Sequence, residues 1–296
     1  MVLTMLNELC IKDFMNTEKI LIVVTHSGAF HPDDVFALTV LRQLHPMMEV
    51  VRTRDEEIIA SGDIIVDVGG QYDGKRWFDH HQNSDDVIRP DGIAYSSAGL
   101  IWKSFGHHYV DSLLGDNDSP ELHIDVYEMI YTRFVNPIDH EDNGVSFKDF
   151  DIGYIRTIQS AFVPSWRYSE ESHMLEYFLK AMEYMKMMVE VEVLKLRKHI
   201  DAMDANGFVL SALEKSAEDE TLKRLKVVEL PQWMPAKKVL VDTDINFVIS
   251  PRNDKEWTVE TVPVEMGSFE RRVDLPVAGA GLKDEELHKA AGITDG

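Results

Sequence analysis

Residues 63–81 constrain this chain more than any other stretch. An apolar run, Ile64–Val66, delivers Asp67 to a break made by Gly69 and Gly70, and Asp79-His80-His81 follows twelve residues after Asp67. Carboxylates and imidazoles gathered at strand ends suit a divalent transition metal, because both are donors of intermediate hardness. The triplet alone would say little. Its weight comes from His26, His31, Asp33 and Asp34 upstream and from Asp139 and Asp142 downstream.

The upstream chain sets those clusters in an alternating pattern. Residues 20–25 (ILIVVT) form a continuous apolar run of the kind buried on both faces of a sheet. His26-Ser27-Gly28-Ala29-Phe30-His31-Pro32-Asp33-Asp34 follows. Pro32 and Asp33 suit a helix start, and Val35, Leu38, Leu41 and Leu44 share one side of the helix they open. A second strand is expected at Glu49–Arg52, a short helix at 56–60 and a third strand at 63–68. Strands and helices in alternation predict a parallel α/β sheet, and ligands in such sheets collect beyond the carboxyl ends of the strands. His26 and Asp67 both fall there.

A helix is predicted from Ser96-Ser97-Ala98-Gly99 to about His107. Its first N–H groups are candidates for holding a phosphate, although an ordinary capped helix start is the commoner case. Residues 121–135 read as helical and lead into a charged turn at 138–144 that contains Asp139, His140, Glu141 and Asp142. Residues 170–204 carry Met174, Phe178, Met182, Met185, Val189, Val193, Leu196 and Ile200 at helical spacing, a stripe expected to be packing material. Short strands are expected after it, at 208–210, 226–229, 247–249 and 257–263, with a last helix at Asp284–Ala291.

A length of 296 residues favours two domains over one. The expected division is an N-terminal extension (1–19), a metal-binding catalytic domain (20–165), a linking helix (166–205) and a smaller α+β domain (206–296). With 30 basic and 52 acidic residues the formal net charge is −22, which argues against a broad grip on duplex nucleic acid. A small phosphorylated ligand stays open, because bound cations reverse the local sign. One cysteine, Cys10, permits no internal disulfide and suggests a reducing compartment. Residues 1–17 lack a basic leader, and no apolar run approaches the roughly 18 residues of a membrane span. A soluble, cytoplasmic protein is the expectation.

A two-metal site needs a bridging carboxylate and roughly three further ligands per ion, with the ions about 3.5–4 Å apart. Asp67 is placed to bridge. His26 and His31 complete one ion; Asp33, His80 and Asp142, or Asp139, complete the other. Asp79 would orient an imidazole from behind. Such ions generate hydroxide near neutral pH and neutralise phosphate charge. A histidine at a strand end is usually just hydrogen-bonded, and His107-His108 are read that way. Ser27 lacks a nucleophile elbow, and no Walker or dinucleotide glycine pattern is present.

These motifs resemble the melanocyte-proliferating-gene family, a branch of the DHH phosphoesterase superfamily. The similarity is carried by Thr25-His26-x-Gly28-x-Phe30-His31-x-Asp33, Val66-Asp67-Val68-Gly69-Gly70-x-Tyr72-Asp73, Asp79-His80-His81-Gln82, Ser96-Ser97-Ala98-Gly99-Leu100 and Asp142-Asn143-Gly144. Pro263-Val264, Gly267-Ser268-Phe269 and Gly281-Leu282-x-Asp284-Glu285-Glu286-Leu287 extend it towards the C-terminus. The resemblance implies a two-domain α/β fold with manganese-type ions, magnesium being the alternative. It also implies phosphodiester or phosphoanhydride hydrolysis in a cleft, with 3′–5′ exonuclease action on RNA. Asp67, Asp79, His80 and His81 are then the catalytic group and Ser96 and Ser97 the phosphate contacts. Where the family carries a basic, asparagine-containing stretch, this chain has residues 158–164 (IQSAFVP). Relatives also continue past the point matching Gly292-Ile293 into a glycine-rich tail, so a weakened grip on substrate is expected.

The leading expectation is a two-metal phosphoesterase on RNA, short oligonucleotides or another small phosphorylated substrate. Pyrophosphatase-like or cyclic-dinucleotide hydrolysis, a catalytically weak metal- or nucleotide-binding role, and a homodimer remain the alternatives.

Overall fold

The computed structural model of the chain describes residues 20–82, 88–115, 117–148, 152–168, 170–282 and 284–291. The expected N-terminal extension, Cys10 and the last five residues lie outside them. The chain divides into two compact units, one ending at Leu194 and the other beginning at Lys195.

The first unit is built on four parallel strands, β1 (Ile22–Thr25), β2 (Glu49–Arg52), β3 (Ile64–Val66) and β4 (Trp77–Phe78), in the order β2-β1-β3-β4. Registers pair Thr25 with Arg52, Val24 with Ile65 and Val66 with Phe78, so the carboxyl ends of all four strands lie along one edge. β3 is shorter than expected: Asp67 still donates its N–H to the Phe78 carbonyl at 3.1 Å, but its left-handed backbone, φ 56°, turns the chain out of the strand. β4 has only two residues, too few for a pattern to reveal.

Helix α1 (Pro32–Leu44) starts with Pro at N1 and with Asp33 and Asp34 in its first turn, which suits the positive end of the helix dipole. Asp34 also accepts the His31 N–H at 3.0 Å, fixing the entry of the chain. Val35, Phe36, Ala37, Leu38, Val40 and Leu41 are fully buried, so α1 is apolar almost all round. After β2, the short α2 (Glu56–Ser61) is capped by Asp55, whose side chain accepts the N–H groups of Glu57 and Ile58. Helix α3 (Ser97–Leu113) packs on α1. Gly99 on α3 is required there: a Cβ would lie 2.6 Å from both carboxylate oxygens of Asp139.

The segment that bears Asp142 departs from the sequence expectation. Helix α4 (Pro120–Ile130) runs through a π-helical turn, Tyr131–Val135, into α5 (Asn136–Asp142). Residues 138–142 are therefore helical, and the chain turns only at Asn143 and Gly144 (φ 71°). Pro137 explains the wide turn. It has no N–H to return to the carbonyl of Arg133, and the Tyr154 hydroxyl donates to that carbonyl instead, at 3.0 Å. Tyr154 lies on α6 (Gly153–Thr157), which runs into a second π-helical turn at Ile158–Phe162.

Helix α7 spans Glu171–Glu218, longer than expected. Met174, Phe178, Met182, Met185, Val189 and Val193 are its buried stripe in the first unit. The strand expected at 208–210 lies inside this helix, because Ala205, Val209 and Ala212 bury at helical spacing. The second unit continues with α8 (Glu220–Leu225), β5 (Val227–Glu229), α9 (Lys237–Leu240), β6 (Phe247–Pro251), β7 (Trp257–Thr261) and α10 (Asp284–Ala291). Its sheet has the order β5-β6-β7, with β5 parallel and β7 antiparallel to β6. Val209, Val228, Leu230, Leu240 and Val262 form its core. Among the described residues no helix is long and apolar enough to cross a membrane.

Candidate metal centre

Three adjacent strand ends deliver the centre. β1 ends in Thr25 and presents His26, β3 ends in Val66 and presents Asp67, and β4 ends in Phe78 ahead of Asp79, His80 and His81. β3 lies between the other two, so Asp67 has a histidine on each side. Its Oδ2 is 3.3 Å from His26 Nε2, and its Oδ1 is 3.2 Å from His80 Nε2. The left-handed backbone that ends β3 is a conformation a non-glycine residue holds only at a cost, and such strain concentrates at functional sites.

The first turn of α1 supplies the acidic floor. Asp34 Oδ2 approaches His26 Nε2 at 3.3 Å, and Asp33 Oδ2 lies 4.0 Å from His80 Nε2. From α5, Asp142 Oδ2 reaches His80 Nε2 at 3.4 Å. His26–His31–Asp67, Asp67–His80–His81 and His31–Asp33–Asp142 are each able to place one donor atom apiece within 4.8 Å of the others. Asp67 and His31 are each shared between two of these groups.

The histidines are oriented from behind. His26 Nδ1 lies 3.1 Å from the Ser27 carbonyl, which fits an Nδ1–H donor and leaves Nε2 towards the carboxylates. Arg54 Nη2 lies 3.4 Å from the same nitrogen, a longer contact that the competing tautomer would need. Asp79 accepts the backbone N–H groups of Gly70 at 2.6 Å and of His81 at 3.0 Å, and its Oδ1 lies 2.6 Å from His81 Nδ1. Asp79 therefore acts on His81, whose side chain is 64% exposed.

Proton affinities record this crowding. Burial works against a charged ring at His26, but Asp34 and Asp67 outweigh it and raise the group to about 10. His80 is raised in the same way by Asp67 and Asp142. Burial opposes ionisation of Asp67, and hydrogen bonds and charge from His26 and His80 overcome it, holding the carboxyl low. Burial, with the charges of Asp67, Asp142 and Asp34, holds Asp33 well above the usual carboxylate range. Asp33 Oδ1 is buried without a hydrogen-bond partner. Buried carboxylates that face one another call for a cation. The donor set, imidazole nitrogen with carboxylate oxygen, fits a divalent transition metal or magnesium.

Three sequence candidates lie apart from this group. Asp139, one turn before Asp142 on α5, is fully buried and accepts from Arg89 Nη1 at 2.9 Å and from the hydroxyl and N–H of Ser96 at 2.7 and 2.9 Å. It ties α5 to the start of α3 and is in none of the donor groups. Arg89 also donates to Asn136 at 2.6 Å and Asp91 at 2.8 Å. The Ser97 hydroxyl donates to Asp33 Oδ2 at 2.8 Å. Ser96 and Ser97 are fully buried with their hydroxyls and N–H groups facing these carboxylates. These bonds orient Asp33 and Asp139. Sequence reasoning missed Arg89 and left Asp34 aside; the only signal for Arg89 is an arginine next to a proline in a polar loop.

A cavity of about 210 Å³ opens beside the cluster, lined by His31, Asp33, Glu141 and Asp142 together with Ile155 and Gln159. A larger cavity of about 530 Å³ in the second unit, beside Phe269 and Arg271, has Glu260 as its one carboxylate and no histidine among the described residues.

Comparison with known proteins adds an independent finding. The family model MYG1_exonuc, described as Uncharacterised protein family (UPF0160), matches residues 22–296. The MYG1 protein of Schizosaccharomyces pombe is 32% identical over 294 residues, covering 92% of this chain and 88% of that protein. The MYG1 protein of Saccharomyces cerevisiae is 31% identical, covering 92% and 86%. The human MYG1 exonuclease is 33% identical over 297 residues, covering 91% and 77%. Among solved structures, exonuclease RecJ bound to manganese is 14% identical and covers 88% of this chain and 82% of that one at a TM-score of 0.31, a remote likeness in chain course.

Proposed function

This chain belongs to the MYG1 exonuclease family, and from that premise we propose that it is a metal-dependent hydrolase that removes nucleotides from the end of a nucleic acid. The observation that carries the reading is Asp67, with one carboxylate oxygen towards His26 and the other towards His80. A carboxylate so placed would serve two divalent ions. His26, His31 and Asp67 would hold one; Asp67, Asp33, His80 and Asp142 would hold the other. Manganese is proposed as the physiological metal and magnesium as its substitute. Divalent ions bound there supply a water acidified towards neutral pH and positive charge against the phosphate oxygens.

The chain's own side chains do the remaining work. The 210 Å³ cavity beside His31, Asp33 and Asp142 admits a single small group rather than a duplex end. His81 is held by Asp79, and that carboxylate raises its proton affinity. It would donate a hydrogen bond to a phosphate oxygen, or a proton to the departing oxygen as the P–O bond breaks and that oxygen becomes a hydroxyl. A net charge of −22 favours short, end-bound strands over long duplexes. RNA or short oligonucleotides are therefore the proposed substrates.

The test is hydrolysis of end-labelled RNA of graded length with manganese, with Asp67→Ala as the blank. Stepwise loss of nucleotides from one end, absent in the blank, is expected. Failure of the wild-type protein to cut any oligonucleotide while manganese is bound would refute the substrate assignment.

A further inference from the structure

We propose that Arg52 and Glu171 are positioning residues for the metal centre, together clamping the loop that carries His26. The inference rests on the assignment of His26 as a metal ligand and adds two residues that neither coordinate nor touch substrate.

Arg52 is the last residue of β2 and pairs in register with Thr25, the residue before His26. Its guanidinium is buried and lies over the rings of Phe30 and Phe178, 5.4 and 5.0 Å from their centroids. From there Nη2 donates to the carbonyls of His26 at 3.1 Å and Gly28 at 2.6 Å. Nη1 lies 3.2 Å from Glu171 Oε1, a coulombic contact without hydrogen-bond geometry. The other oxygen of Glu171 accepts the Gly28 N–H at 3.2 Å. Two side chains thus hold three backbone atoms, in His26 and Gly28, of the six-residue loop between β1 and α1, and Gly28 has φ 93°.

A buried guanidinium is costly to desolvate and is retained where its fork of donors is used. Here it reaches two carbonyls of one loop and one carboxylate. None of these contacts involves the His26 ring, so the clamp sets where Nε2 stands without competing for it. Partners behind a ligand commonly alter metal affinity by about 10- to 100-fold when removed. The effect should be confined to one ion, because His80, Asp33 and Asp142 lie on other elements.

The experiment is a manganese titration of the metal-free full chain, followed by calorimetry and by the electron-spin signal of free manganese. It compares wild type, Glu171→Ala, Glu171→Gln and Arg52→Lys. Glu171→Ala leaves the buried Arg52 guanidinium without its carboxylate and should lower stability, so urea unfolding of each variant first fixes conditions under which all are folded. One of two binding steps should weaken by about 10- to 100-fold in Glu171→Ala and Arg52→Lys. The other step should stay unchanged, and Glu171→Gln, which keeps an acceptor for Gly28, should recover part of the loss. Superimposable isotherms for Glu171→Ala and wild type would overturn the clamp, as would equal weakening of both steps. A wild-type protein that binds no manganese would overturn the His26 assignment on which the clamp rests, whatever the nuclease assay shows.

Discussion

Consider the metal-free protein taken from pH 6.5 to pH 9.5 in chelator. His26 is raised from 6.5 to about 10, with burial opposing and Asp34 and Asp67 producing the rise. Below pH 6.5 both the folded and the unfolded chain carry the proton, and the stabilisation is fully present. Above it the unfolded chain gives the proton up while the folded chain retains it, so stability falls until the folded group also titrates near pH 10. At about 1.4 kcal/mol per pH unit the span is worth at most about 5 kcal/mol. Water entry and rearrangement around the ring should reduce that to a few kcal/mol. Other groups also titrate at alkaline pH, so the useful quantity is the difference between wild type and His26→Gln. Urea unfolding followed by tryptophan fluorescence at four pH values supplies it. The difference should shrink steadily with rising pH. With saturating manganese the trend should reverse, because metal displaces the proton and fewer protons compete as pH rises. A difference that is flat or that grows between pH 7 and 9.5 in chelator would refute the reasoning.

Three other perturbations follow. Asp67→Asn, in which the amide tolerates a left-handed backbone, should fold yet bind fewer than one manganese per chain; metal analysis finding two would sink the bridging role. Arg89→Met strands the buried Asp139 carboxylate and should cost about 3–5 kcal/mol in urea unfolding. Adding Asp139→Asn to it should restore part of the loss, and a neutral single variant would show the pair to be idle. Gly99→Ala drives a Cβ to 2.6 Å from Asp139 and should cost about 1–3 kcal/mol by overpacking, read as a lowered melting temperature; an unchanged one would mean that α3 shifts freely.

Much of the first unit is legible in the chain because the central strands β1 and β3 are buried and read as apolar runs. Glu49–Arg52 and the proline-led start at Pro32 appear in the structure as expected. Misreadings arose where local residues and distant partners disagree. Asp139 to Asn143 look like a turn, yet Tyr154, far along the chain, supports a helix through Pro137. Phe208, Val209 and Leu210 look like a strand, yet Ala205 and Ala212 bury beside Val209 on one helix face. Sequence spacing also cannot separate Asp139 from Asp142, which stand one turn apart. The difference comes from Arg89, which takes the first and leaves the second facing His80. Arg52 and Glu171 are invisible in the same way, since only the folded sheet brings them to Gly28.

The wide turn at Tyr131–Val135 sets a phase as well as accommodating a proline. A helix advances about 100° and 1.5 Å per residue, so the count of residues in that turn fixes the azimuth of everything after it. With the present count, Asp139 points at Arg89 while Asp142 points at His80. Wound as ordinary helix with the same number of residues, the segment would swing both carboxylates by about 100°, away from both partners at once. The alignment of α5 with the three strand ends is thus encoded as an integer, the number of residues wound into one turn more than two turns upstream of Asp142.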